Sequence, residues 1–139
     1  RIGHVLISSE LDAEVFGLSL GGTPAEQCAS LLDVIVVWLE EQKRSLHDAV
    51  LAEMQVRDMS SFESINGIYG GRVGSEPPAR VCVQTCLPEG LHLRIRLVLR
   101  ERGGEPTGTA EFSSLRVQSI STWAMACIGP YSQATSVGA

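Results

Sequence analysis

Asp58-Met59-Ser60-Ser61-Phe62-Glu63-Ser64-Ile65-Asn66-Gly67-Ile68-Tyr69 is the stretch on which the reading of the fold turns. Asp58 to Ser61 has the composition of a turn. Ser60-Ser61-Phe62-Glu63 then has the spacing of a capping box, in which a serine hydroxyl and a later glutamate take up each other's free backbone N–H groups. Phe62, Ile65, Ile68 and Tyr69 follow at helical spacing as one apolar stripe, and Gly70-Gly71 is expected to end the helix. Upstream, Val50, Ala52, Met54 and Val56 alternate with Leu51, Glu53, Gln55 and Arg57, the pattern of a strand with one greasy face. Downstream, a loop through Pro77-Pro78 leads to a strand from about Arg80 to Cys86. Pro88-Glu89-Gly90 turns the chain into its most regular strand, with Leu91, Leu93, Ile95, Leu97 and Leu99 on one face. His92, Arg94, Arg96, Val98 and Arg100 occupy the other.

Nearer the N-terminus, Val5-Leu6-Ile7 is a short strand core, and Val15 to Leu20 reads as a second strand stopped by Gly21-Gly22. Thr23-Pro24-Ala25-Glu26 combines an N-cap hydroxyl, a proline at the first helical position and a capping-box carboxylate. Cys28, Leu31, Leu32, Ile35, Val36 and Leu39 continue at helical spacing, so this helix buries one face and fades near Lys43. The order β-β-α-β-α-β-β predicts an α+β sandwich with two helices on one face of a mixed sheet. Residues 102–114 are polar and Gly-rich and read as a linker. Leu115 to Ile120 is a further strand candidate, ahead of a tail from Trp123 to Ala139.

The chain has 139 residues, enough for one domain with its own core. Its net charge of −5 and single lysine (Lys43) argue against a general nucleic-acid binder, which needs clustered cations. The longest apolar run, Val34 to Leu39, is far short of a membrane span. Cys28, Cys82, Cys86 and Cys127 show no CxxC pair and no histidine spacing suited to zinc, so they read as buried, reduced thiols in a cytoplasmic protein. His4, His47 and His92 have no partner spacing either. No metal and no cofactor are expected. Gly21-Gly22 and Gly70-Gly71 form no phosphate loop.

Asp58 to Tyr69 resembles the Asp-Leu-x-x-Phe-x-x-hydrophobic-Asn-x-x-Tyr stretch of the RidA/YjgF family. Pro78-Ala79-Arg80-Val81-Cys82-Val83 resembles that family's Pro-Ala-Arg-x-x-Val signature, with Leu87-Pro88 and the long final strand after it. Ile128-Gly129-Pro130-Tyr131-Ser132-Gln133-Ala134 is similar to the family's opening, here placed at the end. The resemblance divides the chain into a RidA-like core (1–101), the linker (102–114) and a tail (115–139). The tail is either the start of a following repeat or a permuted first strand. The join Leu115 to Ala124 is similar to the one between the two RidA-like repeats of some diphthine–ammonia ligases, which makes this a C-terminal RidA-like repeat of such a protein. The family fold is a RidA/chorismate mutase-like sandwich that forms trimers with ligand clefts between subunits.

The resemblance also implies a site. Family deaminases hold the substrate carboxylate with an arginine that corresponds to Arg80, for which a planar, permanently charged fork is suited. Cys82 matches a pocket-lining cysteine and is expected as a wall rather than a nucleophile. Tyr131 and Asn66 match positions near the ligand, and Tyr131 reaches the site only if the tail folds back. The glutamate that positions the attacking water aligns with Arg94, and arginine is no general base near neutral pH. A ligand-binding glycine aligns with Glu10, which either pairs with Arg94 or, as the favoured expectation, neutralises Arg80. These departures imply a homotrimeric module that binds small carboxylates or imino acids with weak or no deaminase activity. An active imine/enamine deaminase is the alternative, and an endoribonuclease, for which the arginine stripe is the only support, ranks behind both.

Overall fold

The computed structural model describes residues 5–100 and 112–137. In chain order the elements are β1 (Val5–Ile7), α1 (Pro24–Glu41), β2 (Ala49–Val56), α2 (Phe62–Val73), β3 (Ala79–Gln84), β4 (Leu93–Arg100), β5 (Phe112–Leu115) and β6 (Ala134–Val137). Gly3, His4 and the linker as far as residue 111 lie outside the described residues.

The first four strands form one mixed sheet in the order β1-β4-β2-β3. β4 is antiparallel to both β1 and β2, and β3 runs parallel to β2. A parallel pair requires a crossover, and α2 supplies it. Alternation decides the faces. Ala52, Met54 and Val56 of β2 and Leu93, Ile95, Leu97 and Leu99 of β4 are all buried on one side. Cys28, Leu31, Leu32, Ile35 and Leu39 of α1 and Ile65, Tyr69 and Val73 of α2 cover that side. The expected α+β sandwich, with both helices on one face, is what the chain forms. The capping box of α1 is also as expected: Glu26 N–H donates to Thr23 Oγ1 (3.2 Å) and Thr23 N–H to Glu26 Oε2 (2.7 Å).

Local readings failed at four places. Val15 to Leu20 is a turn and loop, not a strand, because Asp12 accepts the N–H of Val15 at 3.0 Å and Leu18 N–H folds back to Ala13 O. Leu18 and Leu20 then pack against Ala13, Leu87 and Leu91 in a second small cluster. No serine capping box starts α2. Asp58 instead accepts Ser60 N–H at 2.8 Å and caps a short 3-10 turn ahead of the helix. The helix runs through Gly70-Gly71 to Val73 and ends at Gly74, whose φ of 69° and ψ of −150° suit only glycine. Finally, the strand expected at Leu115 to Ile120 lies earlier, at Phe112–Leu115, and begins within the range read as linker.

The tail does not enter the main sheet as a strand. β6 pairs antiparallel with β5 in a separate two-stranded sheet. It still docks on this domain: Ser132 N–H donates to Pro78 O (2.9 Å), Ser132 Oγ to Pro77 O (2.6 Å) and Thr135 Oγ1 to Val50 O (2.7 Å). Among the described residues no helix is long and apolar enough to cross a membrane.

Candidate functional site

Arg80 pairs in register with Ala52, and Cys82 with Met54. Ala52 and Met54 face the helices, so Arg80 and Cys82 point to that same side, at the sheet edge. There the guanidinium meets α2. Its Cζ lies 5.4 Å from the centre of the Phe62 ring and 5.0 Å from that of Tyr69. The returning tail adds a third ring, Tyr131, at 5.4 Å. Periodicity assigns Phe62 and Tyr69 only to the core stripe; their spacing of seven residues, which stacks them along one helix face, was the signal that they could share a cation.

The polar atoms of this cage are not matched. Nε and Nη1 of Arg80 are buried without a hydrogen-bond partner, and so are Asn66 Oδ1 and the Tyr69 hydroxyl. Arg80 makes no ion pair with any described residue. Buried donors and acceptors are nearly always paired, so four orphaned atoms in one place mark a spot prepared for something polar. Asn66 joins Arg80 through the tail: a Cβ built at Gly129 would sit 3.4 Å from both Arg80 Nη2 and Asn66 Nδ2.

The thiols and the phenol here are held neutral. Burial pushes the Cys28 thiol up to about 12, partly opposed by the positive charge of Arg80. Burial likewise raises Cys82, and the Tyr69 hydroxyl more strongly, against the same opposing charge. A protonated thiol is a poor nucleophile, and Cys82 sits half-buried on the same strand face as Arg80. The expectation that all the cysteines are buried fails: all are free, yet Cys86 is exposed.

The structure thus brings Arg80, Asn66, Cys82 and Tyr131 together. It does not bring Arg94 or Glu10 to them. Arg94 lies between the buried Leu93 and Ile95 on β4, so alternation turns it to the open face of the sheet, opposite Arg80. Its Nη1 pairs with Glu10 at 3.0 Å and its Nε with Asp12 at 2.8 Å. The favoured expectation, that Glu10 neutralises Arg80, is therefore corrected: its partner is Arg94. Asp12, nearly fully buried, was missed, and its place directly after Leu11 in a turn gave no sequence signal of a partner on β4. Arg96 and Glu53 form a further pair on the same open face. Among the described residues no cluster could hold a metal ion.

No model of a known protein family matches the sequence. A diphthine–ammonia ligase of Saccharomyces cerevisiae is 40% identical over 91 residues, covering 60% of this chain and 13% of the ligase. A RutC family protein of Pyrococcus abyssi is 30% identical over 78 residues, 55% of this chain and 61% of that protein. The chain therefore spans less than two thirds of either relative. Among solved structures, a YjgF family member from Neisseria meningitidis superposes with a TM-score of 0.64 at 28% identity, over 73% of this chain and 82% of that one. RidA from an Antarctic Psychrobacter gives 0.60 at 26% identity, over 73% and 84%.

Proposed function

Since the chain is a RidA/YjgF family domain, we propose that it binds small carboxylates of the 2-imino acid type at Arg80, with little or no deaminase activity. It serves as a C-terminal accessory domain of a diphthine–ammonia ligase-like protein, in keeping with the small share of the yeast ligase that it matches. One observation carries the reading: a guanidinium with two buried, unpartnered nitrogens, together with the unpartnered Asn66 Oδ1. A carboxylate oxygen suits the first and the N–H of an imine or ammonium suits the second. The rings of Phe62, Tyr69 and Tyr131 form apolar walls for a short side chain.

The position of the two acids nearest Arg94 supports the reading of little or no catalysis. Hydrolysis of an imine needs a group to position and deprotonate water, and Asp12 and Glu10 are engaged with Arg94 on the far side of the sheet. Assembly into a homotrimer, in the cytoplasm, belongs to the same proposal. It is supported by the open sheet face, where Ile7, Val81 and Val83 are exposed and the charges of Arg94 and Arg96 are already neutralised within the protomer. Sedimentation equilibrium of Val81→Asp against wild type tests that assembly, with an unchanged mass counting against this face.

A coupled assay in which an amino-acid oxidase generates a 2-imino acid continuously tests the central reading. Ammonia release is expected at the buffer rate. Acceleration that disappears in Arg80→Ala would establish the active deaminase instead.

A further inference from the structure

Arg80 is partly covered by the segment that follows the domain in sequence, with Gly129 and Tyr131 against its guanidinium. Ser132, 1% exposed, anchors that segment through both of its bonds to Pro77 and Pro78. Pro130 rests on α2 at Gly70, where a Cβ would lie 3.2 and 3.3 Å from the proline's Cβ and Cγ. A side chain there would press the proline off the helix by a few tenths of an ångström, and a branched one by more. Tyr131 supplies the third ring of the cage.

The fastening is uneven. Within Gly129–Tyr131 the backbone hydrogen bond is internal, Tyr131 N–H to Gly129 O at 2.9 Å. Among the described residues none ties these three to α2 or β3. Ile128, next before them, is 82% exposed. Contact alone holds these three residues down, between the Ser132 bonds on one side and the bond of Cys127 N–H to Val117 O (2.8 Å) on the other.

We infer that residues 129–133 are a strap over Arg80, and that a small carboxylate reaches the guanidinium when the strap lifts. The inference rests on the reading of Arg80 as a carboxylate site and concerns how that site is regulated. Nε and Nη1 have no contact with solvent while the strap is down, so affinity is scaled by the fraction of molecules in which it is up. Anything that favours the raised strap favours ligand.

Phenylglyoxal, which adds to guanidinium nitrogens, reads the strap without any ligand when modified peptides are quantified by mass spectrometry. In wild type, Arg80 is expected to react more slowly than Arg96, whose side chain is 46% exposed. Gly70→Val pushes Pro130 away and should speed Arg80 roughly fivefold or more, on the population argument. Gly71→Val has the same helix cost, but a Cβ there meets nothing within 4 Å, so its Arg80 rate should match wild type. Ser132→Ala loosens the anchor on one side, and circular dichroism confirms that each variant is folded. Arg80 rates equal in wild type, Gly70→Val and Ser132→Ala overturn the strap, as does a wild-type Arg80 rate equal to that of Arg96. Pyruvate is then added to Gly70→Val. Protection of Arg80 supports the carboxylate site, and faster modification without protection keeps the strap while removing that ligand reading.

Discussion

Arg80→Met asks whether the guanidinium is there for a ligand or for the fold. Methionine keeps an unbranched apolar stem in the same space and removes the charge. Two opposing effects scale the result. The charge loses attraction to three rings at 5.0–5.4 Å, near the outer limit for such contacts, worth about 0.5–1 kcal/mol each and about 1.5–3 in all. Against this, two buried nitrogens without acceptors cost about 1–3 kcal/mol each, and more for a charged group, so about 2–6 together. Desolvation wins, and Arg80→Met should stabilise the unliganded protein by about 1 kcal/mol, roughly 3–4 °C in Tm at this size. Differential scanning calorimetry without carboxylate reads that shift. The same scans with pyruvate should raise the Tm of wild type, through a stabilisation of up to about 2.7 kcal/mol at a hundredfold excess over Kd, and leave that of Arg80→Met unmoved. A fall of several degrees in unliganded Arg80→Met would refute the reasoning, because it would make the cation a strut between the rings.

Above pH 9.0, the ordinary Cys28 value, the unfolded chain gives up a thiol proton that the folded chain keeps until about 12. Stability contributed by Cys28 is thus full below that window and falls across it by up to about 1.4 kcal/mol per pH unit. Urea unfolding at pH 8, 9 and 10 should show a steeper alkaline decline in wild type than in Cys28→Ala, and parallel slopes would count against it. Asp12 accepts from both Val15 N–H and Arg94 Nε, so Asp12→Asn should cost about 1–2 kcal/mol by the same method. Glu10→Gln, at a half-exposed partner, should cost no more than about 0.5; equal losses would mean that burial does not distinguish the two acids. Gly74→Ala places a side chain in glycine-only backbone space and should cost about 1–3 kcal/mol, with an unchanged Tm as the contrary outcome.

Much of this was legible in the residues because one-dimensional patterns report burial. The alternation of β2 and β4 and the helical stripe of α1 each encode one buried face, and the sheet reproduces them position by position. What failed depends on single polar atoms or on distant pairing. Val15 to Leu20 has the composition of a strand, yet one carboxylate oxygen of Asp12 seeds a turn there. Gly70-Gly71 looks like a helix end, but helical bonding tolerates glycine at modest cost, and the stop comes where φ turns positive. The partner of β6 could not be read at all, since an edge strand carries no mark of which neighbour completes it. The cage around Arg80 was half legible: Arg80, Asn66, Cys82 and Tyr131 follow from motif matches. Phe62 and Tyr69, read as core, also turn out to line the site.

The placement of Arg94 shows why a motif alignment cannot stand in for a face. Arg80 and Arg94 are both strand residues, but they lie on opposite faces with β2 between their strands, roughly 10 Å apart in the sheet direction alone. No single protomer can present both to one small ligand. A group at the position of Arg94 could act on a substrate held by Arg80 only across a subunit boundary, from the open face of one copy to the edge strand of the next. There the neighbour would offer a guanidinium already joined to Asp12 and Glu10. Recruiting either acid as a base would strand Arg94 without its partner, and breaking a partly buried pair of this kind costs kcal/mol that hydrolysis would have to recover. The charge arrangement on the open face therefore supports the proposal of ligand binding with little or no turnover.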